Sequence, residues 1–327
     1  MATIYDVATQ AGVSPATVSR VLSGKTVNAE LTKKVRAAAK ALGYRANRTA
    51  QSLRRQHSKL IGLIIPDIEN SYFTAIARGV EDALEPAGYS VVLCNSDSDL
   101  QKESRYVDVA VSEAMAGIII APANAKTDLS PLLDRGRAVV VIDRDPLTVE
   151  TDVVVLADRA SASDLTNALF ELGHERIACV TGPADVETSV QRVEGWRDAH
   201  RMRGIDPAED LLVFSDFKVA GGQTAMQRLL DLPNPPDAVF SANNLMGAGM
   251  IETLERRRQQ VGLAVFGPLP AGSAVPRSCV ISGTPGREMG RLAAERLLAR
   301  IVDASTPMHR DVLEAPILPD TRSRPLA

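Results

Sequence analysis

Residues 4–22 read IYDVATQAGVSPATVSRVL, and this stretch indicates two short helices around a tight turn. Thr3 can cap the first helix, and Gly12 supplies the left-handed residue that ends it. Ser14 can cap the second helix, whose first position takes Pro15 because the missing N–H of proline costs nothing there. The pattern is typical of a helix-turn-helix.

The second helix has one apolar face, formed by Val18, Val21 and Leu22. Its other faces carry small residues and one arginine: Ala16, Thr17, Ser19 and Arg20. A helix of this kind enters the DNA major groove and reads base edges there. A third helix from about Glu30 to Leu42 completes a small all-α head.

Charge separates this head from the rest of the chain. Residues 1–57 hold ten Lys or Arg and two acidic residues, a formal charge of +8, whereas the 327-residue chain carries −3, which leaves −11 for the remainder. A basic segment on an acidic body indicates a module that binds phosphates, since a merely solvated surface would mix the two signs.

Beyond residue 59, short apolar runs alternate with helical patterns. The predicted strands are Leu60–Ile65, Ser90–Asn95, Gly117–Ala121, Ala138–Asp143, Val153–Leu156, Arg176–Thr181, Leu211–Phe214, Ala238–Asn243, Val261–Gly267 and Cys279–Ser282. Continuous apolar strands with helices between them indicate parallel sheets that are covered on both faces. Ten such strands favour an α/β body of two doubly wound lobes, with a ligand cleft at the carboxyl ends of the strands.

Several classes of protein are disfavoured. No run approaches a membrane span and no export signal follows Met1, so we expect a cytoplasmic protein. Cys94, Cys179 and Cys279 lie far apart in apolar runs, and the four histidines lack ligand spacing, so we expect neither disulfide nor metal site. Because phosphate-binding glycine loops and nucleophile motifs are also missing, we expect no enzyme, no catalytic residue and no cofactor.

The head resembles that of the LacI/GalR family of bacterial transcription regulators. The matching runs are Tyr5-Asp6-Val7-Ala8, Ala11-Gly12-Val13-Ser14, Ala16-Thr17-Val18-Ser19-Arg20-Val21-Leu22, Leu42-Gly43-Tyr44 and Asn47-Arg48, followed by Ala50 and Leu53. The resemblance implies that Pro15, Ala16 and Arg20 face base edges. It also implies contacts with the DNA backbone from Tyr5, Ser14, Thr17, Ser19 and Asn47.

The resemblance further implies a hinge helix from about Asn47 to Arg55 that includes Ala50. Leu53 would insert there into the minor groove beside Arg54, as an isolated apolar residue in a basic stretch. The alternative is that Leu53 packs on the body of its own protein. A short helix without a core of its own would fold only on DNA.

The body resembles the core of the same family, which is similar to periplasmic sugar-binding proteins. The matching runs are residues 61–68, 70–73, 88–89, 117–119, 142–144, 172–177, 192 with 195–196, and 236–243. The resemblance implies that Phe73 stacks on an effector, that Asp143 and Asn243 bind its polar edge and that Arg192 clamps it. Taken singly, Phe73 could be core, Asp143 a helix cap and Arg192 part of a surface ion pair.

Some positions depart from the family pattern. Gly267-Pro268-Leu269-Pro270 stands where the family usually has an Asp that binds hydroxyls, and Asn244 replaces a frequent Asp. The loss of a carboxylate opposite Arg192 favours an anionic effector, such as a sugar acid or sugar phosphate, or else a cleft that binds nothing small. In the head, Leu31-Thr32 and Ala46 also differ from the usual residues.

The expected domains follow from these patterns. They are a head at 1–46, a hinge at 47–59, an N-terminal lobe at 60–157 plus 286–316, and a C-terminal lobe at 158–285 plus 317–327. Trp196, four residues beyond Arg192, is expected on a segment that lines the cleft.

The resulting hypothesis is a dimeric repressor that binds a near-palindromic operator and is switched by a sugar, sugar acid or sugar phosphate held between the lobes. We expect no tetramer held by a coiled coil, because the C-terminal tail lacks a heptad repeat. An enzyme, a secreted solute-binding protein and an architectural DNA-bending protein are the alternatives. DNA binding that is sequence-specific and metabolite-dependent would distinguish the repressor from all three.

Overall fold

The computed structural model describes residues 2–22, 26–44, 58–146, 150–276 and 279–319. The chain divides into two compact units, residues 1–58 and residues 59–327. Predicted DNA contacts at Asn47, Ala50, Leu53 and Arg54 lie outside the described residues, as does most of the predicted hinge.

The first unit contains the three predicted helices, α1 (Ile4–Ala11), α2 (Pro15–Leu22) and α3 (Ala29–Ala41). Thr3 caps α1 in a reciprocal pair with Asp6, whose carboxylate accepts from the Thr3 backbone N–H at 2.7 Å. Gly12 ends α1 with φ 66°. The helix-turn-helix geometry predicted from the sequence is therefore confirmed.

The three helices share one small core. It consists of aliphatic residues from each helix: Val7, Ala8, Ala11, Val18, Val21, Val35, Ala38 and Ala39. Val18 and Val21 anchor the apolar face of α2, with Leu22 partly buried against it. Ala16 and Arg20 of α2 are thereby left exposed, while Pro15, Thr17 and Ser19 are partly buried.

The described part of the second unit contains eleven strands in two sheets. They are β1 (Leu60–Ile65), β2 (Ser90–Asn95), β3 (Gly117–Ile120), β4 (Ala138–Ile142), β5 (Asp152–Leu156), β6 (Ile177–Thr181), β7 (Leu212–Phe214), β8 (Ala238–Ser241), β9 (Gly262–Val265), β10 (Cys279–Ile281) and β11 (Arg310–Leu313). One sheet has the order β11-β5-β4-β3-β1-β2 and the other β10-β9-β8-β6-β7. All of these pairings are parallel, as predicted.

Helices separate most of the consecutive strands and cover both sheets. They are α4 (Ser71–Leu84), α5 (Leu100–Ser112), α6 (Ser130–Leu133), α7 (Asp158–Glu171), α8 (Glu187–Arg201), α9 (Val219–Leu230), α10 (Asn244–Arg257) and α11 (Gly286–Val302). We call the six-stranded sheet with α4, α5, α6 and α11 the first lobe, and the five-stranded sheet with α7 to α10 the second lobe.

The chain passes between the lobes three times. It leaves the first lobe after β5, returns between β10 and α11, and crosses again after β11, where Ile317 bridges Ser282 in antiparallel fashion. Since the strands are parallel, the carboxyl ends of both sheets border one cleft.

Glycines allow the closest helix contacts. On α11, a Cβ at Gly290 would lie 2.1 Å from the carbonyl oxygen of Ile76, and on α4 a Cβ at Gly79 would lie 2.1 Å from that of Arg287. No side chain fits at that distance, so α4 and α11 must touch through backbone. This contact holds α11 against α4. Since α11 begins directly after the chain crosses from β10, the contact also positions the end of that crossing.

Gly290→Ala should therefore destabilise the protein, although alanine favours helix elsewhere. Overpacking against backbone is expected to lower the free energy of unfolding by about 1–3 kcal/mol. Denaturant unfolding of the full chain measures the change. Thr74→Ala, on the exposed side of α4, is the control and should stay within about 0.5 kcal/mol of wild type. Equal stability of Gly290→Ala and wild type would show that α4 and α11 can move apart to fit the added methyl group without loss of stability.

Candidate functional site

A cavity of about 880 Å³ lies between the lobes. Its walls are the segments that follow parallel strands: residues 66–70 after β1, 95–98 after β2, 143–144 after β4, 183–188 after β6, 216–220 after β7, 243–245 after β8 and 266–270 after β9. The cavity therefore occupies the place where ligands bind in doubly wound folds. We call it the cleft cavity.

Two buried charges follow β4 at the floor of the cleft cavity. Asp143 has φ 63°, a left-handed conformation that turns the chain directly after the strand. Its carboxylate lies 3.5 Å from Nε of Arg144, and both side chains are buried. Arg144 Nη1 donates to the carbonyls of Pro122 (3.1 Å) and Ala123 (3.3 Å), while its Nε has no hydrogen-bond partner among the described residues. Asp143 was predicted; Arg144 was not, although a charge directly after a buried strand was a usable signal.

Arg192 is held by three segments of the second lobe. Its Nε donates to Asp158 at 2.7 Å, its Nη1 donates to the carbonyl of Ala242 at 2.6 Å, and its guanidinium lies 3.9 Å above the ring of Phe266. Both members of the ion pair are buried, so the alternative of a surface ion pair is wrong. Burial raises the pKa of Asp158 to about 6, against the opposing effect of Arg192. The arrangement fixes the plane of the guanidinium at the cavity wall.

Asn243 and Phe73 also line the cleft cavity. Asn243 caps α10 by accepting from the N–H of Met246 at 2.8 Å, and its Nδ2 donates to the carbonyl of Phe217 at 2.8 Å. Phe73 is buried and belongs to the hydrophobic core as well, with its ring 5.1 Å from that of Tyr72. The structure thus brings Phe73, Asp143, Arg192 and Asn243 around one cavity, while their contact with an effector stays a prediction.

The segment that departs from the family pattern forms an uncharged wall. Gly267 has φ 93°, and its N–H donates to Oγ of Ser282 at 3.0 Å. Gly267 and Pro270 face the cleft cavity together with Phe266. Backbone and apolar rings therefore occupy this side of the cavity.

The charges of the lining are of both signs. Five carboxylates and three cations contribute to it: Asp67, Glu69, Asp97, Asp143 and Asp216, with Arg144, Arg192 and Lys218. Asp143, Arg144 and Arg192 are buried, whereas Asp97, Asp216 and Lys218 are exposed at the rim. Because Asp143 and Asp158 lie beside the two buried arginines, the floor has little net positive charge.

Glu187, the first residue of α8, was not found from the sequence. It lines a second cavity of about 320 Å³ beside the crossing segment 155–160. Partial burial, followed by the negative charges of Asp158 and Asp143, raises its pKa to about 7. Glu187 therefore gains or loses its proton near neutral pH.

Trp196 lies on the helix that was expected to line the cleft, since Thr188 and Arg192 of α8 line the cavity, but its own side chain does not. Trp196 is fully buried, its Nε1 donates to the carbonyl of Ile177 at 3.1 Å, and its ring lies 4.8 Å from that of His200. Four residues after Arg192 on α8, its side chain packs into the core of the second lobe and does not line the cleft cavity.

In the head, most of the predicted DNA contacts lie on α2 or directly before it, from Ser14 to Arg20 in the last turn of the helix. Oγ of Ser14 lies 2.9 Å from Oγ1 of Thr17 and accepts from its N–H at 3.2 Å, which caps the helix. Ala16 and Arg20 are exposed, and Tyr5 on α1 is exposed as well. Pro15 and Ser19, the remaining predicted contacts here, lie on the same short helix and are partly buried.

The described part of the chain offers neither a metal site nor a membrane-spanning helix. Within it, no group of His, Cys, Asp and Glu side chains is arranged to hold a metal ion. The same residues include no helix long and apolar enough to cross a membrane.

Comparison with known protein families matches both units. A family described as "Bacterial regulatory proteins, lacI family" matches residues 3–47. A family described as "Periplasmic binding proteins and sugar binding domain of LacI family" matches residues 58–314.

Relatives match over nearly the full length. The chain is 32% identical over 317 residues to the ribose operon repressor of Escherichia coli (strain K12), covering 95% of this chain and 96% of that one. It is 30% identical over 314 residues to the HTH-type transcriptional repressor PurR of Aliivibrio fischeri (strain MJ11), covering 93% of each. A solved structure of the transcriptional regulator CelR in complex with cellobiose matches with a TM-score of 0.73 and 28% identity, covering 97% of this chain and 98% of that one.

The raised pKa of Glu187 predicts a pH dependence of stability. Between its ordinary value of 4.5 and about 7, the folded protein holds a proton that the unfolded chain releases. The free energy of unfolding should therefore lose this contribution as pH rises through that window. Glu187→Gln removes the effect, so its stability relative to wild type should increase from pH 5 to pH 7 and then level off.

Denaturant unfolding at a series of pH values measures this difference. Asp198→Asn is a suitable control, because hydrogen bonds from Arg159 and Arg201 lower the pKa of Asp198 to about 2, outside the window. Its stability relative to wild type should not vary between pH 5 and pH 7. Parallel pH profiles of Glu187→Gln and wild type would show that Glu187 has an ordinary pKa.

Proposed function

The chain belongs to the LacI family of bacterial regulatory proteins, and we propose that it represses transcription as a dimer at a near-palindromic operator under control of a small metabolite. As a family member it is a DNA-binding transcription regulator with an effector-binding domain, and it is not an enzyme. The observation that carries the proposal is a family match over both units together with a cleft cavity in the second. Its DNA partner places the protein's action in the bacterial cytoplasm.

The proposed reading residues lie on α2. Pro15 and exposed Ala16 are assigned to base edges because a helix presents its N-terminal residues to the major groove, and exposed Arg20 is assigned to a base edge from the last turn of the same helix. Tyr5, Ser14, Thr17 and Ser19 are assigned to the DNA backbone. Asn47, Ala50, Leu53 and Arg54 keep the DNA-contacting roles that the sequence assigns to the hinge.

The proposed effector is a small sugar-like metabolite. Support comes from the polar floor around Asp143 and Arg192, the aromatic rings of Phe73 and Phe266 and the cavity volume of about 880 Å³, which accommodates a monosaccharide or a somewhat larger molecule. The names of the ribose operon repressor and of the CelR–cellobiose complex point to the same class of ligand.

The balance of charges around the cleft cavity bears on the charge of the effector. Arg192 is paired with Asp158, and Arg144 lies beside Asp143, so neither arginine brings an uncompensated positive charge to the cleft cavity. An anionic group would also meet the acidic side chains of the rim. A neutral sugar is therefore favoured over a sugar acid or a sugar phosphate.

The proposed switch is an equilibrium between arrangements of the two lobes. An effector that binds one arrangement better shifts the population toward it. The first lobe begins at β1, directly after the segment that links it to the head, so a shift in lobe arrangement can change how two heads of a dimer are spaced on DNA. Whether the effector favours or disfavours operator binding follows from which arrangement it selects.

Arg20→Ala tests the base contact. We expect it to reduce the preference for operator over random DNA by about tenfold or more, because a good base contact contributes about 1–3 kcal/mol of discrimination. The salt dependence of binding should change by at most about one unit of slope, as for one lost phosphate contact.

Fluorescence anisotropy with operator and scrambled duplexes measures both quantities. The operator is first obtained by selection from random sequences. Lys40→Ala, an exposed cation on α3, is the control and should leave the operator preference intact. An unchanged preference in Arg20→Ala would contradict a base contact at this position.

A thermal-unfolding panel tests the effector site. Neutral pentoses and hexoses, their acids and their phosphates are added to the full chain, and an effector at about a hundred times its Kd should add roughly 2.7 kcal/mol of stability. Asp143→Asn keeps the shape of the side chain and should lose this stabilisation. If no compound in the panel stabilised the wild type, a sugar-like effector would be contradicted. If a compound stabilised Asp143→Asn as much as wild type, Asp143 would not be a contact of the effector.

A further inference from the structure

Two asparagines on opposite lobes form a reciprocal hydrogen-bonded pair. Nδ2 of Asn70 donates to Oδ1 of Asn244 at 3.2 Å, and Nδ2 of Asn244 donates to Oδ1 of Asn70 at 3.1 Å. Both side chains are buried, and both line the cleft cavity. The pair spans the cleft at the level of the cavity itself.

Each asparagine is fixed to its own lobe. Asn70 caps α4 in the first lobe, where its Oδ1 also accepts from the N–H of Tyr72 at 3.0 Å. Asn244 is the first residue of α10 in the second lobe and follows Asn243, which supplies the cap of that helix. The two hydrogen bonds can therefore form only when the lobes are close together, and opening of the cleft must break both.

The chemistry of the pair requires an amide on each side. An amide places an N–H donor and a carbonyl acceptor side by side in one plane, so two facing amides can exchange two hydrogen bonds. A carboxylate at either position would set two oxygens against each other and forfeit one bond. Asn244, which departs from the residue frequent in the family, is thus the residue that completes the pair.

Burial gives the pair its effect. A buried polar group that loses its partner without gaining water is costly, whereas an exposed pair exchanges readily with solvent. Nδ2 of Asn124 in the first lobe donates to the carboxylate of Asp185 in the second lobe at 2.9 Å, but this contact is exposed. The buried amide pair is therefore the stronger of these two links between the lobes.

We propose that Asn70 and Asn244 form an interlobe latch that holds the cleft closed before any effector binds. The latch makes the closed arrangement a populated state of the free protein, so part of the equilibrium on which an effector acts is set by these two side chains. Closing of the lobes by these two side chains does not depend on which metabolite binds in the cleft cavity.

Hydrogen exchange of the effector-free, full-length protein, followed by mass spectrometry, tests the latch. Two variants break it: Asn244→Ala, and Asn70→Ser, in which serine still caps α4 but is too short to reach Asn244. In both variants, the walls of the cleft cavity in both lobes, residues 66–73, 143–146 and 242–248, should exchange about tenfold faster than in wild type. Strands β3 and β8, in the sheet cores, should not change.

The double variant Asn70→Ser/Asn244→Ala distinguishes a direct interaction between the two side chains from independent effects of each. If the two side chains act through each other, the double variant should exchange no faster than either single variant, since the second substitution has nothing left to break. Gln223→Ala is the matched control, because it removes an exposed hydrogen bond from the side-chain amide of Gln223 to Glu252 within the second lobe. It should leave exchange in the cleft walls at the wild-type rate.

Two results would overturn the latch. One is wild-type exchange in the cleft walls of both single variants. The other is acceleration confined to the helix that carries the substitution, α4 for Asn70→Ser or α10 for Asn244→Ala, which would indicate a purely local role. Faster exchange in both lobes with a non-additive double variant is the result that supports it.

Discussion

The buried guanidinium of Arg192 is the interaction on which the cleft cavity depends. It joins α8 to Asp158, which begins α7 directly after the crossing from the first lobe, to the carbonyl of Ala242 after β8, and to Phe266 after β9. Loss of one partner of such a buried pair typically costs about 3–5 kcal/mol, because the other charge is left uncompensated. One side chain therefore holds together the ends of several strands, and it does so at the point where the lobes connect.

This constraint explains how the cavity can be polar and ordered at once. The charge of Arg192 is neutralised by its buried ion pair with Asp158. Arg144 is held by backbone carbonyls and lies beside Asp143, and Asn243 is fixed as the cap of α10. The polar groups that face the cleft are thus positioned before a ligand arrives, which lowers the cost of ordering them on binding. The proposed interlobe latch would lower the cost of binding in the same way, because it brings the two walls of the cleft cavity together in the free protein.

Much of this architecture could be predicted from the sequence because it rests on local patterns. Thr3, Gly12 and Ser14 mark the helix boundaries of the head by capping chemistry, and continuous apolar runs mark the buried parallel strands. Strand β11 was missed because it lies at a sheet edge and reads Arg-Asp-Val-Leu, with alternating exposure in place of an apolar run.

The remaining features depend on tertiary contacts that no local pattern encodes. The shifted pKa of Glu187 arises from carboxylates brought near it by the fold, and the Asn70–Asn244 pair joins residues 174 positions apart. Trp196 follows Arg192 by about one helical turn, yet its large apolar side chain packs into the core of the second lobe, which the spacing alone does not specify. The hinge roles of Asn47 and Leu53 stay predictions from sequence.

The measurement that tests the central claim most directly is the thermodynamic coupling between operator and metabolite. The operator affinity of the full chain is measured with and without saturating metabolite, and the metabolite affinity with and without saturating operator. If one protein carries both sites and a shared equilibrium links them, the two ratios must be equal and different from one. An operator affinity that does not change at saturating metabolite would contradict the account, even if both ligands bind.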